Sequence, residues 1–233
     1  MRRHDRVYLR TDTDFATPCA ASGSPAWQAA ADWIAAGRPL VAARQPDGDD
    51  RVQLGLSLSL AFNRQRLTIR VAPERIAAVR PPIAVRPCLA PLPPAMAAVL
   101  LELDLAIGGC GARLGIYGSL AAEALSGEAF RHADSDIDLI CDVADRSQVA
   151  AALAAFECAA ARLPCRLDGE LRRPDGWAVA WCEAAGALDQ PDRPVLVKGE
   201  GAPALWPLAT WLAGLAAADQ IPQPAGEPMS AFA

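Results

Sequence analysis

Two short motifs near the middle of this chain carry groups able to handle a phosphate and a divalent cation. Tyr117-Gly118-Ser119 is followed, after sixteen residues, by Asp136-Ile137-Asp138-Leu139-Ile140. Side chains alternate faces along a strand, so Asp136 and Asp138 point one way while Ile137 and Leu139 point into a core. Two carboxylates on one face repel each other unless a cation lies between them. A magnesium or manganese ion suits that place, since magnesium takes oxygen ligands and is commonly shared with substrate phosphates. The Gly-Ser pair supplies the other half. Leu114 to Tyr117 reads as a short strand and Ala121 to Leu125 as the start of a helix. Gly118 lets the backbone approach a phosphate, Ser119 offers its hydroxyl and N–H, and a helix N-terminus behind them favours an anion. Asp136 and Asp138 are therefore read as metal ligands and catalytic residues, and Gly118 and Ser119 as substrate-binding. Asp134 shares the alternation but lies outside the apolar run. The plain alternative is a strand-to-helix turn beside a solvated strand end.

A third carboxylate is expected from a neighbouring strand at the same height. Arg166-Leu167-Asp168-Gly169-Glu170 supplies it as Asp168, with Glu170 on the same face as its rival. Asp168-Gly169 is also a hairpin-turn signal in its own right. Lys198 is the sole lysine beside 21 arginines and ends an apolar run. A compact point charge there suits a phosphate, so Lys198 joins the substrate-binding set. Arg131, Arg172 and Arg173 are further phosphate candidates. Trp177 and Trp181, four apart on an expected strand, face one side and either pack in the core or stack an adenine.

The elements that must position these residues can be read along 233 residues, enough for one large domain or two small ones. With 52% apolar and 21% charged residues the chain can bury a substantial core. No apolar run of membrane-spanning length or leader-like segment is read, so a cytoplasmic location and no membrane partner are expected. Seven scattered cysteines without a C-x-x-C fit reduced thiols, and two histidines outside any ligand pattern disfavour a zinc site. Residues 1–100 hold 13 basic and 8 acidic side chains, whereas residues 101–233 hold 9 and 19. The first part could offer a basic surface to an acidic partner. Long basic runs with interleaved aromatics are absent, which disfavours a nucleic-acid partner.

An α+β fold is expected: a small strand-rich N-terminal module over 1–80, a proline-rich linker over 81–94, a catalytic domain with a mixed sheet flanked by helices over 95–219, and a loose tail over 220–233. Residues 1–15 read as an arm with some helix. Strands are expected over 39–44, 52–60, 66–71, 165–171, 177–181 and 193–198. Helices are expected over 27–36, 73–79, 96–108, 147–163 and 205–218, the 147–163 helix capped by Ser147 and stopped by Pro164.

The apolar-Gly-Ser, spacer, D-x-D arrangement resembles the DNA polymerase β-like nucleotidyltransferase superfamily, although the spacer is a few residues longer than is usual there. The run from Gly118-Ser119 to Gly127 and on through Ser135-Asp136-Ile137-Asp138 is similar to one branch, the holo-acyl-carrier-protein synthases of malonate decarboxylase, or phosphoribosyl-dephospho-CoA transferases. Arg3-His4-Asp5, the 81–94 stretch, Arg166 to Glu170 and Val195 to Lys198 extend the likeness in order along most of the chain. The resemblance implies a nucleotidyltransferase-like catalytic domain in which the third acid completes a metal site or takes the proton of the incoming hydroxyl. It further implies triphosphoribosyl-dephospho-CoA as donor, a serine of the malonate decarboxylase acyl carrier protein subunit as acceptor, and diphosphate as leaving group. Two other readings stand beside it: an enzyme using ATP on a small-molecule or protein hydroxyl, and an inactive binding module on the same fold.

Overall fold

Residue alternation divides the work of the molecule between two sheets. The computed structural model describes residues 1–216 apart from 47 and 133, so the expected tail over 220–233 lies outside the described residues. The first sheet contains β1 (Arg6–Leu9), β2 (Leu40–Ala42), β3 (Val52–Ser57), β4 (Arg66–Val71) and β5 (Ile76–Arg80), in the order β4-β3-β2-β1-β5 with antiparallel pairings. Helix α1 (Pro25–Ala35) covers it. Ser24 caps α1 by accepting the Trp27 N–H at 3.3 Å, and Pro25 stands where its missing N–H costs nothing. Val7, Leu40, Leu54, Ile69 and Val71 are fully buried beneath it with Trp33 and Ile34.

The second sheet follows helix α2 (Pro94–Gly109). It is built from β6 (Arg113–Ile116), helix α3 (Gly118–Ser126), β7 (Ile137–Asp142), helix α4 (Arg146–Ala160), β8 (Leu167–Arg172), β9 (Ala178–Ala180), helix α5 (Trp181–Ala185), β10 (Pro194–Lys198), β11 (Ala204–Pro207) and helix α6 (Leu208–Ala213). The strand order is β11-β10-β9-β8-β7-β6. Only β7 and β8 run parallel, with α4 as their crossover, and the other pairings are antiparallel. A parallel pair needs such a crossover. The fold is thus α+β, with one antiparallel and one mixed sheet flanked by helices. Among the described residues no helix is long and apolar enough to cross a membrane.

Period two sorts the second sheet's side chains. Ile137, Leu139, Cys141, Leu167 and Leu171 are buried in a core that also takes Val149, Leu153 and Phe156 from α4. Gly169 lies on this face because a Cβ there would stand 2.9 Å from Phe156 and 3.0 Å from Trp181. Asp168-Gly169 is therefore mid-strand, and the glycine serves packing instead of a turn. The opposite face carries Asp138, Asp142, Asp168, Glu170 and Arg172, and the N-terminal module lies against it. Arg172, fully buried, donates to Asp142 Oδ1 at 2.7 Å, to Asp5 Oδ1 at 3.1 Å and to the Arg3 carbonyl at 2.6 Å. Phe130, from the loop after α3, enters the first module's core and meets Trp33 edge-on at 5.9 Å.

Several elements differ from the sequence reading. The N-terminal arm is strand β1, interior to its sheet. The helix expected over 73–79 is a single 3₁₀ turn, Pro73–Arg75, followed by β5. Pairing with β1 satisfies this segment's backbone, so tertiary context overrides its helix propensity. In the segment expected to form a closing helix from Leu205, Leu205 and Trp206 pair with Leu196 and Val195 across the sheet edge. Helix begins only after Pro207. Asp145, not Ser147, caps α4, accepting the Gln148 N–H at 2.8 Å. Strand β9 stops at Ala180, and Trp181 opens α5. The proline-rich segment pairs Ile83 with Ile116 and buries Val85 and Cys88 in the second core.

Candidate functional site

The Gly-Ser turn and the second aspartate of the pair are built against each other. Gly118 has φ +66°, and a Cβ there would overlap the Asp138 carboxylate, whose Cγ would be 2.7 Å away. Only glycine meets both conditions. Ser119 is buried, and its backbone N–H at the first turn of α3 donates to Asp138. Burial pushes the Asp138 carboxyl up to about 6, helped by the negative charges of Asp168 and Asp136. The Ser119 N–H and the positive charge of Arg66 act in the other direction. Arg66 opens β4, so the first module reaches over this end of the second sheet. A narrow apolar cavity of about 60 Å³ separates the modules here, lined by Trp33, Leu40, Leu56, Tyr117 and Gly118 among others.

Parallel pairing sets Asp138 directly opposite Asp168, with Asp136 just before β7. The third acid was expected from a neighbouring strand at the height of the pair, and Asp168 lies on β8 opposite Asp138. Among the described residues no three His, Cys, Asp or Glu side chains close around a common point as a finished metal cage. Asp138 is turned toward Ser119, and the guanidinium of Arg166 bridges Asp136 at 2.9 Å and Asp168 at 3.0 Å. Arg166 is largely exposed. Its place two residues before Asp168, and so on the same face, was the signal in the sequence that could have given it a role. The donor set fits a hard divalent cation: all oxygen, on adjacent strands, with a mutual repulsion that a cation relieves.

Glu170, the rival acid, occupies different surroundings. Its buried carboxylate accepts from Arg3 Nη2 at 2.5 Å and from Lys198 Nζ at 3.0 Å, and His4 Nε2 lies 3.4 Å away without hydrogen-bond alignment. Burial alone would raise this carboxyl, but His4 and Arg3 outweigh it and hold it well below the usual carboxylate range. Lys198 reaches it from β10 across the short side chains of Ala178 and Ala180 on β9. His4, at φ +70°, stacks on Tyr117 with ring centres 3.8 Å apart. Burial lowers His4. Burial, then the charges of Glu170, Asp138 and Asp168, hold the Tyr117 hydroxyl above its usual value.

The other phosphate candidates have structural partners. Arg131 pairs with Glu123 at 2.6 Å, Arg172 is the buried tie described above, and Arg173 donates to the Trp211 carbonyl at 2.5 Å. Trp177 tilts on Trp206 at 4.8 Å, and Trp181 stacks on Phe156 at 5.8 Å with its Nε1 donating to the Leu167 carbonyl at 2.9 Å. Both tryptophans are packing residues. Arg3 and His4 were read from sequence only as part of a likeness, because nothing local links them to a strand more than 160 residues away.

Two family profiles match most of the chain. One, described as the phosphoribosyl-dephospho-CoA transferase MdcG N-terminal domain, matches residues 2–82, and the corresponding C-terminal domain profile matches residues 84–209. The chain is 36% identical over 203 residues to a phosphoribosyl-dephospho-CoA transferase of Xanthomonas campestris pv. campestris, covering 84% of this chain and 89% of that one. It is 32% identical over 193 residues to a protein of the same description from Pseudomonas aeruginosa, covering 78% and 83%. No solved structure matches.

Proposed function

The chain belongs to the phosphoribosyl-dephospho-CoA transferase family, and from that premise we propose that it loads a carrier protein by nucleotidyl-type transfer. The donor is 2′-(5″-triphosphoribosyl)-3′-dephospho-CoA, and the acceptor is a serine of the malonate decarboxylase acyl carrier protein. The serine oxygen bonds to the phosphorus nearest the ribose. The bond from that phosphorus to the outer diphosphate breaks, diphosphate leaves, and the serine proton passes to a carboxylate. The observation that carries this reading is the junction of the α3 N-terminus with Asp138, flanked by Asp136 and Asp168 on paired strands.

Each residue then has a task. Gly118 and Ser119 present a helix N-terminus beside the acids, a setting that attracts phosphate oxygens. Asp168, partly exposed, takes the serine proton. Lys198 offsets charge on the donor. Asp136 and Asp138 would hold magnesium or manganese, which would neutralise charge on the reacting and departing phosphates. This catalytic domain then takes its place in the DNA polymerase β-like nucleotidyltransferase superfamily.

The test is direct. The purified chain is incubated with synthetic donor, the unmodified carrier protein and magnesium, and the intact carrier is weighed by mass spectrometry. A mass gain equal to phosphoribosyl-dephospho-CoA, lost when the acceptor serine is replaced by alanine and accompanied by released diphosphate, supports the proposal. Transfer of an adenylyl group from ATP, with no gain from the donor, refutes it in favour of ordinary nucleotidyl transfer.

A further inference from the structure

We propose that Arg3 of the N-terminal module, together with Lys198, forms a subsite for the donor's oligophosphate, so that the two modules make one active site. This deepens the functional reading above and rests on it.

Position is the first argument. Asp168 and Glu170 share a face of β8 and stand about 7 Å apart along the strand. The cations gathered at Glu170 therefore begin one step from the acids that flank the reacting phosphorus. Tyr117 lies within the electrostatic reach of Asp138, Asp168, Glu170 and Arg3 alike. An oligophosphate running from the Gly118 turn along this face would arrive at Arg3 and Lys198.

Charge and hydrogen bonding make the second argument. One carboxylate here faces two permanent cations and a histidine. Among the described residues the buried Arg3 Nε lacks a hydrogen-bond partner. Buried donors without acceptors are costly and uncommon, so the cluster is short of acceptor oxygens. A phosphate supplies them, and an arginine fork with a lysine point charge is a fitting receptor. The two cations remain reachable, with Arg3 21% and Lys198 31% exposed, whereas Glu170 is enclosed at 5%.

The backbone is arranged to bring this about. The Asp5 N–H donates to the Arg2 carbonyl at 3.0 Å and the Arg2 N–H to Asp5 Oδ2 at 2.8 Å, closing a tight turn. His4 adopts its left-handed conformation inside that turn. Asp5 is in turn anchored to buried Arg172. The arm is thus held against the catalytic sheet with Arg3 turned onto it.

Binding of inorganic tripolyphosphate, with magnesium, is measured by isothermal titration on the full chain and on Arg3→Ala, Arg3→Lys and Lys198→Ala, beside KM values for donor and carrier protein. Loss of one charge-assisted contact weakens tripolyphosphate binding by about tenfold to a hundredfold. Arg3→Ala is expected to show that loss and a raised donor KM at unchanged carrier KM, and Arg3→Lys to recover part of it. A merely structural role would lower thermal stability and both KM-dependent rates together, without rescue by lysine. Wild-type affinity for tripolyphosphate in both alanine variants overturns the subsite. So does a wild type that transfers the group yet binds no tripolyphosphate, and that outcome leaves the proposed function standing. Absence of both binding and transfer removes the two readings together.

Discussion

Two carboxyl groups on one face of the second sheet, Asp138 half-buried and Glu170 buried, experience opposite surroundings. Asp138 on β7 is held at about 6 by burial and by two neighbouring aspartates, with only a backbone N–H and a distant arginine in its favour. Glu170, on the adjacent strand, is more deeply buried but lies well below the usual range because His4 and Arg3 outweigh that burial. Burial acts in the same direction at both, so the difference comes from the partners. The Asp138 end is short of positive charge, and the Glu170 end has it in excess. A substrate that brings a divalent cation and a phosphate chain meets both needs, the cation at the first end and the anion at the second. A fold optimised for stability alone would have exchanged the surplus between them.

The largest effect expected from breaking this contrast is at the aspartates. Asp136→Ala or Asp138→Asn should lower transfer by about a thousandfold, since the charge stabilisation at stake is several kcal/mol. Single-turnover loading of the carrier measures it. Asp138 also carries a pH signature. Its folded value of about 6 exceeds the ordinary 3.8, so its favourable contribution to folding is complete below about pH 4 and is lost as pH rises to about 6. In divalent-free buffer at pH 7 to 8, Asp138→Asn should therefore be more stable than wild type by about 1–3 kcal/mol. Denaturant titrations across pH should show the advantage vanish below pH 4. An advantage that persists there would mean that the ionised carboxylate is not the cause.

Gly118→Ala comes next. The new Cβ meets the Asp138 carboxylate at a backbone angle that side chains avoid. The expected cost is about 2–4 kcal/mol of stability, from overpacking and left-handed strain combined. Activity should fall with it, because Asp138 must move. If Gly118→Ala in an Asp138→Ala background costs as much as in wild type, the clash lies elsewhere. Glu170→Gln tests the other end: it leaves Arg3 and Lys198 without their anion and should cost about 3 kcal/mol. Added tripolyphosphate should restore part of that stability if the surplus charge is available to phosphate.

The sequence exposed the first end far better than the second. Strand β4 was readable to its ends, because Leu67, Ile69 and Val71 alternate with exposed or half-buried positions between turn-forming neighbours. The Gly-Ser and Asp-x-Asp motifs were readable because each is local and each needs particular residue types. Period two also placed Asp168 and Glu170 on one face, but it could not distinguish their surroundings, since those depend on which strand lies beside β8. Arg3 meets Glu170 across 167 residues of chain, and no periodicity encodes that contact. The same limit explains β5 and β11: each pairs at the border of a sheet, where the partner strand decides between helix and strand.

The smallest effect concerns the arginines at the β4 end. Asn63 and Arg64 both adopt left-handed backbone angles in the turn before β4, and exposed Arg66 opens the strand. Arg64 and Arg66 belong to the basic first part of the chain, whose charge suits an acidic partner. The structure adds that the charge of Arg66 is felt at Asp138. Reversal of the two residues therefore separates into two effects. Arg64→Glu should raise the carrier KM a few-fold at low salt and converge with wild type as salt rises, because steering between exposed charges is screened over about 10 Å at 0.1 M. Arg66→Glu should do the same and also move the acidic limb of the pH–rate profile upward, since it removes a cation that keeps Asp138 ionised. Initial rates against carrier concentration at two ionic strengths, repeated across pH, measure both. A pH–rate profile identical in Arg64→Glu and Arg66→Glu would confine Arg66 to docking. Curves that match wild type at every salt concentration would remove the β4 end from carrier recognition and leave the charge asymmetry of the chain to the phosphate donor.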